Sequence, residues 1–325
     1  MTEITIEFIN KILTNDFNID KIDITHIGYT TDSLVYSFDI NNNKYIAKCI
    51  DSNKYEFKIL MDISNLENNT ILSSPIKIIH NITDKIHLVI FKRYDCDLYY
   101  LDKICLKHKY EDLWLNLGTD LINGIHIMHK NLHYSHGDLK PLNICIDKCK
   151  LKIIDFGTSR PISLSCNKYH SKNTFFWFTP LQFIKLIKND FWSIKEIQDK
   201  VIEKYKADIK EIDSIIHNKY YNQYIDKNNS NFYFEDPIKN DLFICGLLLI
   251  YIYTPDINFW LAGSNIEYDY YTMTLDESFN VIINNMKSFL LNPIKTVDDF
   301  LINYGSNIPN KYKDIIKNYL LSILE

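Results

Sequence analysis

The chain of 325 residues is longer than one average domain, and its hydrophobic fraction of 46% with 14% aromatics predicts a folded protein with a large core. Its net charge of -5 gives no electrostatic case for nucleic acid as the main ligand. Seven cysteines without a regular framework, and no apolar signal segment at the start, predict reduced thiols in an intracellular, cytoplasmic protein. The longest apolar run, Leu242 to Tyr253, is too short to span a membrane, so we expect a buried helix there.

The first third of the chain predicts a small sheet preceded by a helix. Apolar residues at helical spacing favour a leading helix between Thr2 and Phe17. Strand-forming residues then predict five strands, at residues 22–28, 34–40, 44–50, 71–80 and 85–91. Asn41-Asn42-Asn43 is typical of a hairpin turn, and residues 81–84 are predicted to separate the last two strands.

The turn that follows the first strand begins at Gly28 and ends at Val35. Glycine lets the backbone approach a phosphate closely, but only one glycine is present in this turn. Thr30 and Ser33 are small and could donate hydrogen bonds to a phosphate. A plain hairpin explains the segment equally well, so the sequence leaves both interpretations open.

One lysine on the third predicted strand is a candidate for binding a nucleotide. Lys48 ends the segment Tyr45-Ile46-Ala47-Lys48, although an exposed strand lysine could equally serve solubility. A carboxylate that orients Lys48 would distinguish the two roles. Glu56 is the preferred candidate because it opens a segment of helical periodicity. Glu67, which lies in an Asn-rich turn, is the alternative.

The most informative segment is residues 136–143, with the sequence HGDLKPLN, which is followed by Asp155-Phe156-Gly157. A predicted helix at residues 110–130 precedes it. Phosphoryl transfer needs a carboxylate near the acceptor hydroxyl and oxygen ligands that hold Mg²⁺. Asp138, Asn143 and Asp155 supply these groups. Taken separately, the two segments are also compatible with ordinary turn chemistry.

Together these segments resemble the catalytic and metal-binding loops of eukaryotic-type Ser/Thr protein kinases. The resemblance implies an α+β, two-lobed protein-kinase-like fold, with a small antiparallel-sheet N-terminal lobe and a mainly helical C-terminal lobe. We place the N-terminal lobe, with a leading helix, a five-stranded sheet and one helix, at residues 1–91. The C-terminal lobe then covers residues 92–325. It contains an insert at about residues 182–240, which either binds a partner or is a solvated decoration.

The resemblance also implies a role for each candidate residue, with ATP and Mg²⁺ (or Mn²⁺) as cofactors. Asp138 would orient the acceptor hydroxyl, and Lys140 would neutralise the γ-phosphate. Asn143 and Asp155 would hold the metal. Asp97 could meet the ribose, cap the helix that follows it, or do both. The other predicted cofactor-binding residues are Gly28, Val35, Ala47, Lys48 and Glu56.

Further residues have supporting roles in the resembling family. His136 would pack and form hydrogen bonds, and Asp241 would hold the backbone of the catalytic loop. Thr174 would support Asp138 and Lys140. Lys140-Pro141 and the segment that ends at Pro180 favour protein substrates with Ser or Thr acceptors.

Two departures from the family pattern remove charged residues that bind a phosphate or form an ion pair. Gly137 replaces an Arg that helps to bind a phosphorylated loop, and Arg160 supplies only one guanidinium nearby. We therefore predict weak or no dependence on loop phosphorylation. Thr179-Pro180-Leu181 replaces the family's A-P-E, and no Arg follows Arg160, so both members of a distant ion pair are missing. We expect apolar packing in their place.

Two other classes of protein remain compatible with the sequence. A pseudokinase is supported by the glycine-poor first turn, and a kinase-like small-molecule phosphotransferase is supported by the H-G-D pattern. The abundance of Ile, Asn, Lys and Tyr is typical of an AT-rich genome. If that genome belongs to a large DNA virus, we expect the protein in the host cytoplasm or the virion. The sequence indicates neither the physiological substrate nor the oligomeric state.

Overall fold

The computed structural model describes residues 4–19, 22–30, 33–103, 111–164, 177–183, 203–224, 236–255, 257–263 and 275–324. Thr174 and about half of the predicted insert therefore lie outside the described residues. Among the helices that are described, none is long and apolar enough to cross a membrane.

A five-stranded antiparallel sheet forms the N-terminal part, with the order β1-β2-β3-β5-β4. Its strands are β1 (Ile24–Thr30), β2 (Ser33–Ile40), β3 (Asn43–Asp51), β4 (Lys77–Thr83) and β5 (Ile86–Lys92). Asn41 and Asn42 form the β2–β3 turn with φ values of 50° and 63°, which Asn tolerates in the tight turns that match strand twist. The turn places Lys48 on the central strand of the sheet.

Helix α1 (Ile6–Phe17) covers one face of the sheet. Thr5 caps its N-terminus, because the Thr5 hydroxyl accepts a hydrogen bond from the backbone of Phe8. Ile9 and Leu13 are fully buried in a cluster that includes Ala47 of β3. The predicted leading helix is therefore present, and it protects one side of β3 from solvent.

Helix α2 (Tyr55–Ser64) packs on the opposite side of the sheet. Its buried residues Ile59, Leu60 and Ile63 join Val89 of β5 in the large core that continues into the C-terminal part. Successive strand residues point to opposite faces, so α1 and α2 contact different residues of the same strands.

The C-terminal part is mostly helical. Its helices are α3 (Leu98–Lys103), α4 (Glu111–His126), α5 (Lys206–Tyr224), α6 (Pro237–Tyr253), α7 (Leu275–Leu291), α8 (Pro293–Tyr304) and α9 (Asn310–Leu321). Its short strands are β6 (Cys96–Asp97), β7 (Tyr134–Ser135), β8 (Ile144–Asp147), β9 (Lys150–Ile153) and β10 (Arg160–Pro161). Every residue of α6 from Phe243 to Tyr253 is buried, as expected for a helix that is apolar on all sides.

The fourth strand differs from the prediction. It begins at Lys77 and runs through Thr83, so the strand is present but its predicted bounds of 71–80 are wrong, and the turn before β5 lies at residues 84–85 instead of 81–84. Ile71 and Ser73 instead exchange backbone hydrogen bonds with Ile153 of β9, at 3.0 and 2.9 Å. Pro75, which has no backbone N–H, lies between the two pairings. Strand propensity identified extended backbone here but could not identify its partner.

The sheet and the helical part confirm the predicted α+β architecture. The boundary that we place at residue 91 stays a prediction. Residues 71–73 pair with β9, so N-terminal residues also contribute to the C-terminal packing.

Gly124 on α4 generates a prediction about this packing. A Cβ atom there would lie 2.6 Å from Ile153 Cδ1 and 2.8 Å from Ile71 Cγ2. Overpacking costs about 1–3 kcal/mol and Ala recovers about 1 kcal/mol of helix propensity, so Gly124→Ala should lower the free energy of unfolding by up to about 2 kcal/mol. Denaturant unfolding measures this change. Gly305→Ala is the control, because its nearest contact would be an ordinary 3.5 Å, and an equal loss in both variants would contradict the account.

Candidate active site

A cleft lies between the sheet and the C-terminal part, with a cavity of about 690 Å³. The sheet contributes Ile27, Val35, Ile46, Lys48 and Phe91, and the C-terminal part contributes Leu142, Asn143, Cys145, Ile154 and Asp155. The connecting segment contributes residues 93–97. The cavity is within the range of about 300–1,000 Å³ that small-molecule sites occupy, and its lining combines apolar side chains with charged and polar ones.

Lys48 lies between two carboxylates. Its Nζ is 2.5 Å from Glu56 Oε1 and 2.9 Å from Asp155 Oδ1. Burial alone would lower the pKa of Lys48, but the two carboxylates outweigh burial and raise it. Burial alone would likewise raise the pKa of Asp155, but the Lys48 ammonium outweighs it and lowers the pKa. The Lys48 ammonium and the Asp155 carboxylate are therefore both charged at neutral pH.

Helix α2 provides the carboxylate beside Lys48. Glu56 is the second residue of α2 and is only 4% exposed, whereas Glu67 is exposed and follows the end of the helix. The structure thus brings the preferred candidate, and not the alternative, to the lysine. Only eight residues separate Lys48 from Glu56 in the chain, and α2 begins four residues after β3 ends.

The loop before β8 brings Asp138, Lys140 and Asn143 together. Lys140 Nζ lies 2.8 Å from Asp138 Oδ2. Asn143 Nδ2 donates to the Asp138 backbone oxygen at 2.7 Å and to Asp138 Oδ2 at 3.1 Å. Burial raises the pKa of Asp138, although Lys140 partly opposes the shift. The loop therefore presents a carboxylate that is oriented on one side by an amide and an ammonium.

Asp241 of α6 binds the backbone of this loop through hydrogen bonds. Its carboxylate accepts hydrogen bonds from the N–H groups of His136 at 2.6 Å and Gly137 at 3.0 Å, and from the ring of His129 at 2.9 Å. Asp241 is 2% exposed, so these three donors replace the water that its charge has lost. Gly137 has a φ of 79°, which glycine adopts without strain, so a residue without Cβ suits this position.

His136 links the loop to the Asp155-Phe156-Gly157 segment. Its Nδ1 accepts a hydrogen bond from the Asp138 N–H, and its Nε2 donates to the Ile154 carbonyl at 3.0 Å. This network assigns the acceptor role to Nδ1 and the donor role to Nε2. Its ring centroid lies 5.6 Å from that of Phe156, which is 2% exposed. His136 packs and forms hydrogen bonds, as the resemblance implies.

The donor set at the base of the cleft fits a hard divalent cation. Asn143 Nδ2 is bound to Asp138, which leaves the Asn143 side-chain oxygen as a possible metal ligand, and the Asp155 carboxylate lines the same cavity. The described residues contain no group of three His, Cys, Asp or Glu residues that could enclose a metal by themselves. Mg²⁺ suits such a site, because it usually keeps several waters and takes one or two protein ligands together with substrate phosphates.

The prediction for Ala47 is wrong. Ala47 is fully buried among residues that pack against α1, and Ile46 lines the cavity in its place. The reason is the alternation of a strand, because the residue that shares the face of Lys48 is two positions away. The same rule could have identified Ile46 from the sequence.

The other predicted cofactor residues lie around the cleft. Val35 lines the cavity, and Gly28 pairs with Val35 at a register shift in β1. Asp97 also lines the cavity and caps α3, since its Oδ1 accepts the Tyr100 N–H at 2.6 Å. Burial raises the pKa of Asp97. Gly28 is not part of the described cavity lining, and its contact with a phosphate stays a prediction.

One polar pair in the cleft was missed by the sequence analysis. The hydroxyls of Tyr94 and Ser73 lie 2.9 Å apart, and both residues line the cavity. They come from the connecting segment and from the backbone that pairs with β9, so no local pattern relates them. Cys145 was also missed, although it is two residues after Asn143. Burial raises the pKa of its thiol to about 12, which makes it a neutral wall of the cleft.

The segment at residues 179–182 supports the expected apolar replacement. Leu181, which stands where the family has Glu, is 4% exposed and belongs to the large core. Thr179 and Gln182 exchange hydrogen bonds, with the Thr179 N–H at 2.8 Å from Gln182 Oε1 and the Gln182 N–H at 3.2 Å from Thr179 Oγ1. This reciprocal arrangement is a capping box, and it fixes the segment without an ion pair.

The comparisons with known proteins give one kind of match. No protein-family model matches the sequence, and no curated protein does. Among solved structures, the chain is similar to the structure of the Cydia pomonella granulovirus kinase PK-1, with a TM-score of 0.51 and 14% sequence identity over 97% of this chain and 91% of that chain. Similarity at this level of identity concerns the fold. The chain therefore has a protein-kinase-like fold.

Proposed function

We propose that this protein is a Ser/Thr protein kinase that transfers the γ-phosphoryl group of Mg·ATP to protein hydroxyls. The observation that carries the proposal is the joint placement of Lys48, Glu56 and Asp155 at one end of the cleft, with Asp138 and Asn143 beside them. Bound Mg·ATP would supply the phosphoryl group and the charge that the residues of the site must balance.

Each charged residue has a distinct task in this proposal. Lys48, oriented by Glu56, binds the α- and β-phosphates. Asn143 and Asp155 provide the protein oxygen ligands for the metal. Asp138 accepts a hydrogen bond from the acceptor hydroxyl and takes its proton late in the transfer, which its raised pKa favours. Lys140, already 2.8 Å from Asp138, neutralises charge that develops on the transferred group.

The apolar part of the cleft suits a nucleotide base. Val35 and Ile46 lie on the sheet side, and Leu142 and Cys145 lie on the other side. An aromatic base between two apolar walls loses water-exposed surface on both faces, which favours binding. Asp97 lies within the same cavity and is the proposed partner of the ribose.

The Ser/Thr specificity and the location rest on the sequence. Lys140-Pro141 resembles the pattern of Ser/Thr-directed kinases, and this is the basis for a protein substrate. We place the protein inside the cell, since its seven cysteines form no regular disulfide framework in the sequence.

Transfer of labelled γ-phosphate from Mg·ATP to casein tests the proposal, with Asp138→Asn as the control. We expect labelled Ser or Thr with the wild-type protein and loss of transfer in the variant. The variant should still show a rise in melting temperature with Mg·ATP, because Asp138 is not a nucleotide ligand. Nucleotide binding without transfer to any protein would favour a small-molecule acceptor. Absence of both would favour a pseudokinase.

Asp155→Ala tests the metal site. We expect transfer to fall by about 10³-fold or more, because the variant loses an oxygen ligand of the metal that stabilises the transferred charge. Initial rates at several Mg²⁺ concentrations measure the effect. Asp299→Ala is the matched control, since Asp299 is an exposed residue of α8. Wild-type rates and an unchanged Mg²⁺ requirement in Asp155→Ala would contradict the assignment.

Glu56→Gln tests the orientation of Lys48. The substitution keeps the size of the side chain but removes the charge 2.5 Å from Lys48 Nζ, so we expect kcat/KM to fall at least about tenfold. The same change at the exposed Glu67 should alter kcat/KM by less than about twofold. Steady-state kinetics compares the two variants. A larger loss of kcat/KM for Glu67→Gln would contradict the proposal and assign the orienting role to Glu67.

A further inference from the structure

The first residue of helix α2 contacts a side chain from a distant part of the chain. Tyr55 precedes Glu56, and the guanidinium carbon of Arg160 lies 5.5 Å from the centroid of the Tyr55 ring. This distance is within the roughly 6 Å over which a cation is attracted to an aromatic ring. Arg160 Nη1 also donates to the carbonyl of Ser159 at 2.7 Å, which fixes the direction of the guanidinium.

A second contact reaches the last turn of α2. The Tyr134 hydroxyl donates to Asp62 Oδ2 at 3.2 Å. Tyr134 belongs to β7 and Arg160 to β10, and these two strands pair with each other, with Arg160 opposite Ser135 and Pro161 opposite Tyr134. One two-stranded unit therefore touches both ends of α2.

This two-stranded unit is continuous with the site. β7 leads directly into the loop that carries Asp138, and β10 follows the turn that carries Asp155. A change in the position of α2 relative to the unit would therefore move Glu56 relative to Asp155, the other carboxylate that binds Lys48. Glu56 is buried, so water cannot readily replace Lys48 as its partner, and loss of the ion pair would cost free energy.

The chain has too few arginines to hold α2 through a phosphorylated loop. The sequence contains only Arg93 and Arg160. Arg93 lines the cleft, and Arg160 is already placed on Tyr55. With Gly137 at the position of the family's Arg, no pair of guanidinium groups remains to bind a phosphorylated loop.

We propose that Tyr55 and Arg160 are a positioning pair that keeps α2, and with it Glu56, on Lys48 without loop phosphorylation. Tyr134 and Asp62 support the other end of the helix. The proposal deepens the proposed kinase function and rests on it for its catalytic consequence. Lys58 Nζ also lies 5.2 Å from the Tyr55 ring, but Lys58 is on α2 itself and cannot hold the helix to another segment.

Amide hydrogen exchange of residues 56–63 in the full-length protein tests the pair without requiring activity. Tyr55→Ala and Arg160→Gln should each raise exchange in α2, and the double variant should add little to either, because both remove the same contact. Tyr55→Phe should restore the wild-type exchange, since it keeps the ring. Lys58→Ala should leave exchange unchanged. Equal exchange in all variants, or equal effects of Lys58→Ala and Tyr55→Ala, would overturn the proposal.

Kinetics supplies the second readout. We expect Tyr55→Ala to lower kcat by about tenfold with a smaller change in the KM for ATP, and Tyr55→Phe to rescue it. Phosphatase treatment of the wild-type protein should leave kcat unchanged, and a loss of kcat after treatment would overturn the proposal. If no variant or wild-type protein transfers phosphate but exchange changes as expected, the kinase function fails and the positioning pair stands.

Discussion

The buried ammonium of Lys48 is the constraint on which the rest of the site depends. A charge removed from water costs several kcal/mol unless opposite charges and hydrogen bonds replace the water. Glu56 and Asp155 provide that replacement, and they come from a helix and from a turn 107 residues after Lys48. The sheet, α2 and the β9 turn must therefore meet at one point. Loss of either carboxylate would leave Lys48 less well paired, so the fold and the site depend on the same contacts.

Another carboxylate organises the other half of the site. Asp241 lies at the buried centre of the helical part and fixes the backbone before Asp138 through three hydrogen bonds. Elsewhere the chain uses packing where the resembling family uses ion pairs, as at Leu181, and a ring where the family uses a phosphate, as we propose for Tyr55. Such replacements are compatible with stability, because apolar packing often equals or exceeds a buried ion pair.

The sequence predicted the parts of the site that have local signals. The segment at residues 136–143, the Asp155 turn and the helical position of Glu56 all follow from short segments with characteristic spacing. Contacts between distant segments were not predictable, since the pairing of Ile71 with β9 and the Tyr94–Ser73 hydrogen bond depend on tertiary structure. The prediction for Ala47 failed for a simpler reason, because side chains alternate along a strand and Ile46, not Ala47, shares the face of Lys48.

A crystal structure of the protein with Mg²⁺ and a non-hydrolysable ATP analogue tests the central claim most directly. The account predicts a metal ligated by Asp155 and Asn143, with Lys48 Nζ within hydrogen-bonding distance of the α- or β-phosphate and still paired with Glu56. The base should lie between Ile46 and Cys145. A nucleotide bound elsewhere, or a metal that contacts neither Asp155 nor Asn143, would contradict the account.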